Sequence, residues 1–319
     1  MLQTNPFIDE AGRLRSFWRA LVFLLLSFAA LGIIVAQFNY ALVMFWGEPR
    51  TNRFLDGIGG FVVQATLTFG VMLATGYLCG KYLEKLSFRA FGLWFHKGWA
   101  RDLAWGTVVG TLSLALATVI AAAGGFHVHL HLPDAPGRVL LTLLLSSVAF
   151  VWFALAEEVW FRGYALQTLT RAGYVALGLL LTSVPFALAH LQNPNVSLFY
   201  TFTNTTLAGV WLGLGYWRTR SLWFPLGLHW AWNWTMGAFL GLPVSGITEI
   251  APHPLLQTQL AGPSWLTGGA YGIEGGVACT IALLLSSLLV WRTRLVATTD
   301  EVAETQQPQQ VASNPLTIL

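Results

Sequence analysis

Six polar residues stand in three otherwise apolar stretches of this chain: Glu157, Glu158 and Arg162 in AEEVWFRGY, His190 in FALAH, and His229 and Asn233 in HWAWN. An ionisable side chain at membrane depth costs at least about 2.5–3.5 kcal/mol on insertion scales, which makes it a functional-site hypothesis by default. Five such groups and an amide include the residue types that activate water, and together they favour an intramembrane hydrolase. Helical spacing assigns roles. Glu158 and Arg162 are i and i+4, share a face and can form an ion pair within the helix. Glu157 is rotated by about 100° and lacks that partner. One carboxylate is therefore expected to be an orienting charge and the other a general base. His229 and Asn233 repeat the spacing, as do Phe186 and His190, whose Phe can pack beside the imidazole.

Two chemistries fit this set. His190, His229 and Glu157 can hold a divalent ion such as Zn2+ with a position left open for water. Glu157 can equally activate water without a metal, while a His or Asn donates to the developing oxyanion. The residues alone leave both open.

Composition identifies the elements that must carry these groups. Of 319 residues, 55% are hydrophobic and 10% charged, and the mean hydropathy is +0.61. A soluble domain carries roughly 25% charged residues, so the expectation is an integral membrane protein with lipids as its surroundings. Fifteen Trp suit helices that end in aromatic belts. The fold class expected is all-α, a polytopic membrane helix bundle of about eight transmembrane helices. Their expected positions are Trp18–Gln37, Ile58–Cys79, Leu103–Ala123, Val139–Glu158 continuing as helix toward Leu169, Tyr174–His190, Leu198–Trp217, Leu222–Leu240 and Gly276–Trp291.

Fourteen of the seventeen Lys and Arg fall on alternate connections. Only Arg50, Arg53 and Arg138 lie on the others. By the positive-inside rule both termini are expected in the cytoplasm. The net charge of +3 comes with no long basic block, so no nucleic-acid partner is expected. A hairpin estimate brings the motifs together. With a turn near Ala172–Gly173, Glu158 lies fifteen residues before Gly173 and His190 seventeen after it. At about 1.5 Å per residue, the two then sit within roughly 3 Å of the same height, and the cluster is expected to be reachable from the cytoplasmic side.

The expected organisation is N-terminal spans and an interfacial segment over 1–138, a catalytic core over 139–240, an outer loop and last span over 241–294, and a disordered cytoplasmic tail over 295–319. Ser87–Asp102 mixes aromatic and basic residues and suits a segment lying along the interface and a connecting loop with Trp anchors equally. The glycines of Gly262–Gly276 read as flexible connection. His127, His129 and His131 read as a solvated loop ahead of a metal site, and Thr203–Thr206 as interhelical hydrogen bonding ahead of a substrate lining. The run Trp230, Trp232 and Trp234 suits bundle packing and the lining of an apolar groove equally. Cys79 and Cys279 lie near opposite faces and are not expected to pair.

EEVWFRG resembles the EExxxR motif, FALAH the FxxxH motif and HWAWN the HxxxN motif of the CAAX-protease and bacteriocin-processing family of intramembrane proteases. The three occur in the family's order on successive helices. The resemblance covers about Val139–Leu240. It implies an eight-helix endopeptidase acting on a membrane-associated protein or peptide, with Glu157 activating water and His190, His229 and Asn233 around the scissile carbonyl or a metal. Members are commonly labelled metalloproteases, although a glutamate mechanism without tightly held metal has also been proposed. The expected location is a bacterial cell membrane. A transporter or ion relay, or a non-catalytic immunity or binding protein, would use the same cluster differently. Transporters favour internal repeats, and none is found here.

Overall fold

The computed structural model describes residues 5–10, 12–124, 127–129, 136–259 and 261–307. Among them are twelve α-helices: α1 (Ser16–Trp46), α2 (Glu48–Leu55), α3 (Ile58–Glu84), α4 (Trp99–Ala122), α5 (Pro136–Phe161), α6 (Tyr164–Arg171), α7 (Val175–His190), α8 (Leu198–Thr219), α9 (Trp223–Trp234), α10 (Ser264–Thr267), α11 (Val277–Arg292) and α12 (Asp300–Thr305). Two three-residue strands, β1 (His127–His129) and β2 (Gln257–Gln259), pair antiparallel and link the α4–α5 connection to the outer loop. His131 lies outside the described residues.

The fold is an all-α bundle, and its eight longest helices coincide with the expected spans. Four of them, α1, α3, α4 and α5, are long and apolar enough to cross a membrane. The apolar helices α7 and α11 have sixteen residues each. Outward-facing side chains agree with lipid as solvent: Leu25, Leu26 and Ile33 of α1, Leu144, Leu145 and Val148 of α5, and Leu284, Leu285 and Leu289 of α11 are exposed. Apolar side chains meet lipid without cost, whereas a backbone polar group there must be bonded within its own helix.

The fourth expected span, Val139–Glu158, lies within α5, but its expected continuation toward Leu169 is not one helix with it. The chain breaks at Arg162–Gly163 between α5 and α6. A Cβ at Gly163 would stand 2.0 Å from the Val159 carbonyl oxygen, so only glycine fits this break. Beyond it, Tyr164–Thr170 of α6 are buried against α1, α3 and α7. The hairpin estimate assumed a continuous helix, and its arithmetic does not hold.

Small residues fix how α9 sits. Gly106 and Gly110 of α4 face Gly227 and Leu228 of α9 so closely that a Cβ at Gly106 would lie 2.2 Å from the Phe224 carbonyl oxygen, and one at Gly110 2.5 Å from that of Leu228. In lipid no hydrophobic drive pulls helices together, so close backbone approach and dispersion must do it. Past Trp234 the helix loosens into a π-helical turn over Thr235–Phe239.

The face carrying the basic connections is closed. Glu84 of α3 is buried between Arg19 of α1 at 2.8 Å and Arg171 of α6 at 3.0 Å. The segment 87–98 turns some side chains inward and leaves others outside: Phe91 and His96 are buried, Phe88 and Phe95 are exposed, and Gln167 Nε2 donates to the Phe91 carbonyl at 3.1 Å. The tail expected to be disordered from residue 295 is ordered through 307. Val296 and Val302 are buried, Lys97 N donates to Glu301 Oε2 at 2.8 Å, and Gln306 Nε2 donates to the Ala90 carbonyl at 3.1 Å. Residues 308–319 of that expected tail lie outside the described residues.

Candidate active site

Helix α5 delivers the carboxylates. Glu158 and Arg162 are on one face, and Arg162 Nη1 donates to Glu158 Oε1 at 3.1 Å, with side chains 0% and 1% exposed. Arg162 also extends Nη2 to the Gly209 carbonyl of α8 at 3.4 Å and lays its guanidinium 4.4 Å from the centre of the Phe186 ring. Gly209 also lets α8 pack closely on α7, because a Cβ there would stand 2.6 Å from Ser183 Cβ. Glu157, one position earlier, turns away from the pair and keeps its side chain 33% exposed.

Helix α9 brings His229 between the two carboxylates. His229 Nδ1 lies 2.8 Å from Glu158 Oε1, and Nε2 lies 3.6 Å from Glu157 Oε2. A carboxylate can only accept, so the first contact places the proton on Nδ1 and directs Nε2 at Glu157. The chain Arg162–Glu158–His229 therefore sets the tautomer and angle of an imidazole that faces the exposed carboxylate. Asn233 lies one turn further along α9 and lines the same cavity. Its amide has no hydrogen-bond partner among the described residues.

Helix α7 ends at His190. Its Nδ1 lies 2.8 Å from the Phe186 carbonyl oxygen, again an acceptor, so Nδ1 carries the proton and Nε2 is the basic nitrogen. Phe186 is the common wall. Its ring centre is 4.5 Å from that of His190, 5.1 Å from Phe161 and 6.2 Å from His229.

These groups open into a cavity of about 300 Å3. Glu157, His190, His229 and Asn233 line it beside Phe150, Phe153, Trp160, Trp211 and Trp232. Helices α3, α7, α9 and α11 contribute from the halves away from the basic connections, α8 from its middle, and α5 from its last three turns. Neither α6 nor the segment 87–98 contributes. The cavity's lining thus extends from the end of α5 to Gln64 of α3, Asn193 and the outer loop. Gln64, Ser245 and Glu274 carry no motif, and periodicity does not single them out. The one signal for Glu274 is an isolated acid beside an apolar span.

The three expected metal ligands do not form a metal centre. Among the described residues, no three side chains of His, Cys, Asp and Glu come together where they would hold an ion. Each imidazole gives its Nδ1–H to an oxygen, His229 to Glu158 and His190 to the Phe186 carbonyl, and keeps its lone pair on Nε2. A catalytic zinc needs at least three protein ligands, and among the described residues His190, His229 and Glu157 are not gathered as such a set.

Residues 139–235 match a family model described as Rce1-like, type II CAAX prenyl endopeptidase Rce1-like. No curated protein and no solved structure matches the chain.

Proposed function

We propose that this chain, whose residues 139–235 match the Rce1-like CAAX endopeptidase model, is an intramembrane endopeptidase hydrolysing a peptide bond in a membrane-associated protein or peptide. The observation that carries this reading is His229, held by Glu158 at 2.8 Å and facing Glu157 at 3.6 Å within an apolar cavity. Glu157 accepts a proton from water as the oxygen attacks the scissile carbonyl, and His229 Nε2 shares that proton across the short gap. The Asn233 amide has N–H groups to give, and it meets the charge that develops on the carbonyl oxygen. As the C–N bond breaks, the proton held by Glu157 passes to the leaving amine. His190 Nε2, the acceptor of its ring, orients the attacking water or the substrate amide N–H. Glu158 and Arg162 touch no reacting atom and keep His229 in place. No step requires a metal.

A site walled by apolar helices selects chains already held at the bilayer. The substrate enters laterally, between the wall helices, because α6 and the segment 87–98 close the basic face. All eight long helices serve as membrane spans in this reading, with both termini in the cytoplasm. The test is a proteomic comparison of membranes holding wild-type or Glu157→Gln protein. Membrane-anchored peptides or proteins should accumulate uncut only with the variant. Identical cleavage patterns in the two membranes would overturn the assignment.

A further inference from the structure

We propose that Glu274, outside the matched segment and outside all three motifs, positions the catalytic helix α9 through Trp232 and makes the outer loop 241–276 the far wall of the active-site cavity. The kinetic part of this proposal rests on the endopeptidase reading; the wall does not.

Glu274 sits in a short 3-10 turn, Ile273–Gly275, just before α11. Its Oε1 accepts from Trp232 Nε1 at 3.0 Å, and its Oε2 accepts from the Ser245 backbone N–H at 2.7 Å and the Ser245 hydroxyl at 2.9 Å. One carboxylate therefore ties α9 to both ends of the loop. The backbone around it is held as firmly. Asn204 Nδ2 of α8 donates to the carbonyls of Glu274 at 2.7 Å and Gly276 at 2.9 Å, and Thr280 of α11 donates to Asn204 Oδ1 at 2.6 Å. No cation pairs with Glu274 among the described residues. Three oriented neutral donors meet its charge, and hydrogen bonds to a charged acceptor are the strong kind.

The loop's glycines are close-approach points, not hinges. A Cβ at Gly268 would fall 1.7 Å from the Gly272 carbonyl oxygen, and one at Gly272 would fall 2.3 Å from that of Pro243. Packed this tightly, the loop can act as a wall. Trp232 follows His229 by three residues, a rise of about 4.5 Å, and directly precedes Asn233. Its anchor also lies just before the π-helical turn at Thr235–Phe239, where the α-helical hydrogen-bond pattern changes. Holding the Trp232 indole there fixes the rotation of α9, and with it the aim of His229 and Asn233. Trp232, Ser245, Glu274, His229 and Glu157 line one cavity.

Native Cys279 is buried, lines that cavity beside the loop, and reports on its closure. The experiment uses the full chain in lipid nanodiscs with Cys79→Ala, leaving Cys279 as the only thiol. Glu274→Gln turns an amide donor against donors, and Trp232→Phe removes one donor while keeping an aromatic ring. Alkylation of Cys279 by N-ethylmaleimide should speed up by about tenfold in Glu274→Gln. With a quenched-fluorescent farnesylated peptide as probe, each variant should lose kcat by about 10- to 100-fold, the range for a hydrogen bond to a charged group, with KM nearly constant. The double variant should be no slower than the slower single one. Losses that multiply, or a fall confined to KM, would overturn the positioning role. Unchanged Cys279 reactivity would overturn the wall. A wild-type protein that leaves the peptide intact would count against the endopeptidase reading, and the thiol measurement would still decide the wall.

Discussion

Glu157 and Glu158 are neighbours in the chain with opposite surroundings, one facing the cavity and one sealed between Arg162 and His229. Glu157→Gln should therefore abolish cleavage and leave the yield of folded protein near wild type. Glu158→Gln and Arg162→Ala each strand a buried charge, which costs about 3–5 kcal/mol, and both should lower the thermal midpoint as well as activity. Full activity in Glu157→Gln would remove it from the mechanism. Because the described residues gather no set of three metal donors, chelation followed by dialysis should leave the cleavage rate unchanged, and metal analysis of the active protein should find well below one equivalent. At this scale the Glu158–Arg162 pair was legible from spacing alone. The Glu158–His229 contact was not, because the partners are 71 residues apart and spacing reports only on groups within one helix.

Among the elements, α9 depends on a backbone-to-backbone seat against α4. Gly110→Leu would drive a side chain into the Leu228 carbonyl, and overpacking of this kind costs about 1–3 kcal/mol or more. The expected result is a lower thermal midpoint with a larger fractional loss of kcat, because the displaced helix carries His229 and Asn233. A Gly110→Leu protein with wild-type kcat would show that α9 does not take its position from α4. Apolar run length located the eight longest helices, four of which are long and apolar enough to cross a membrane. The break at Arg162–Gly163 was hidden by a hydrophobic pattern that continues into α6 without a proline. The glycines of 262–276 read as slack because composition cannot distinguish a glycine that bends from one that lets two backbones touch.

At the scale of the whole molecule, the basic face is tied together by Glu84 between two arginines and by the tail through residue 307. Truncation after Arg294 should lower thermal stability by several degrees, because it removes buried Val296 and Val302 and the bonds of Gln306 to Arg171 and Ala90. A truncated chain as stable as the full one would show the docking to be incidental. For topology, a cysteine replacing exposed Lys81 should react with a hydrophilic thiol reagent only after cells are permeabilised. One replacing exposed Ser264 should react in intact cells, and the reverse pattern would invert the orientation. The tail's order escaped the sequence because polar contacts to backbone carbonyls leave no compositional mark. One cation has a wider effect. Arg162 touches α5, α7 and α8 at once and reaches α9 through Glu158. A chain threaded into the bilayer helix by helix holds none of this machinery complete until its penultimate long helix docks. On the endopeptidase reading, the unfinished protein would therefore cut nothing inserted beside it until α9 has docked.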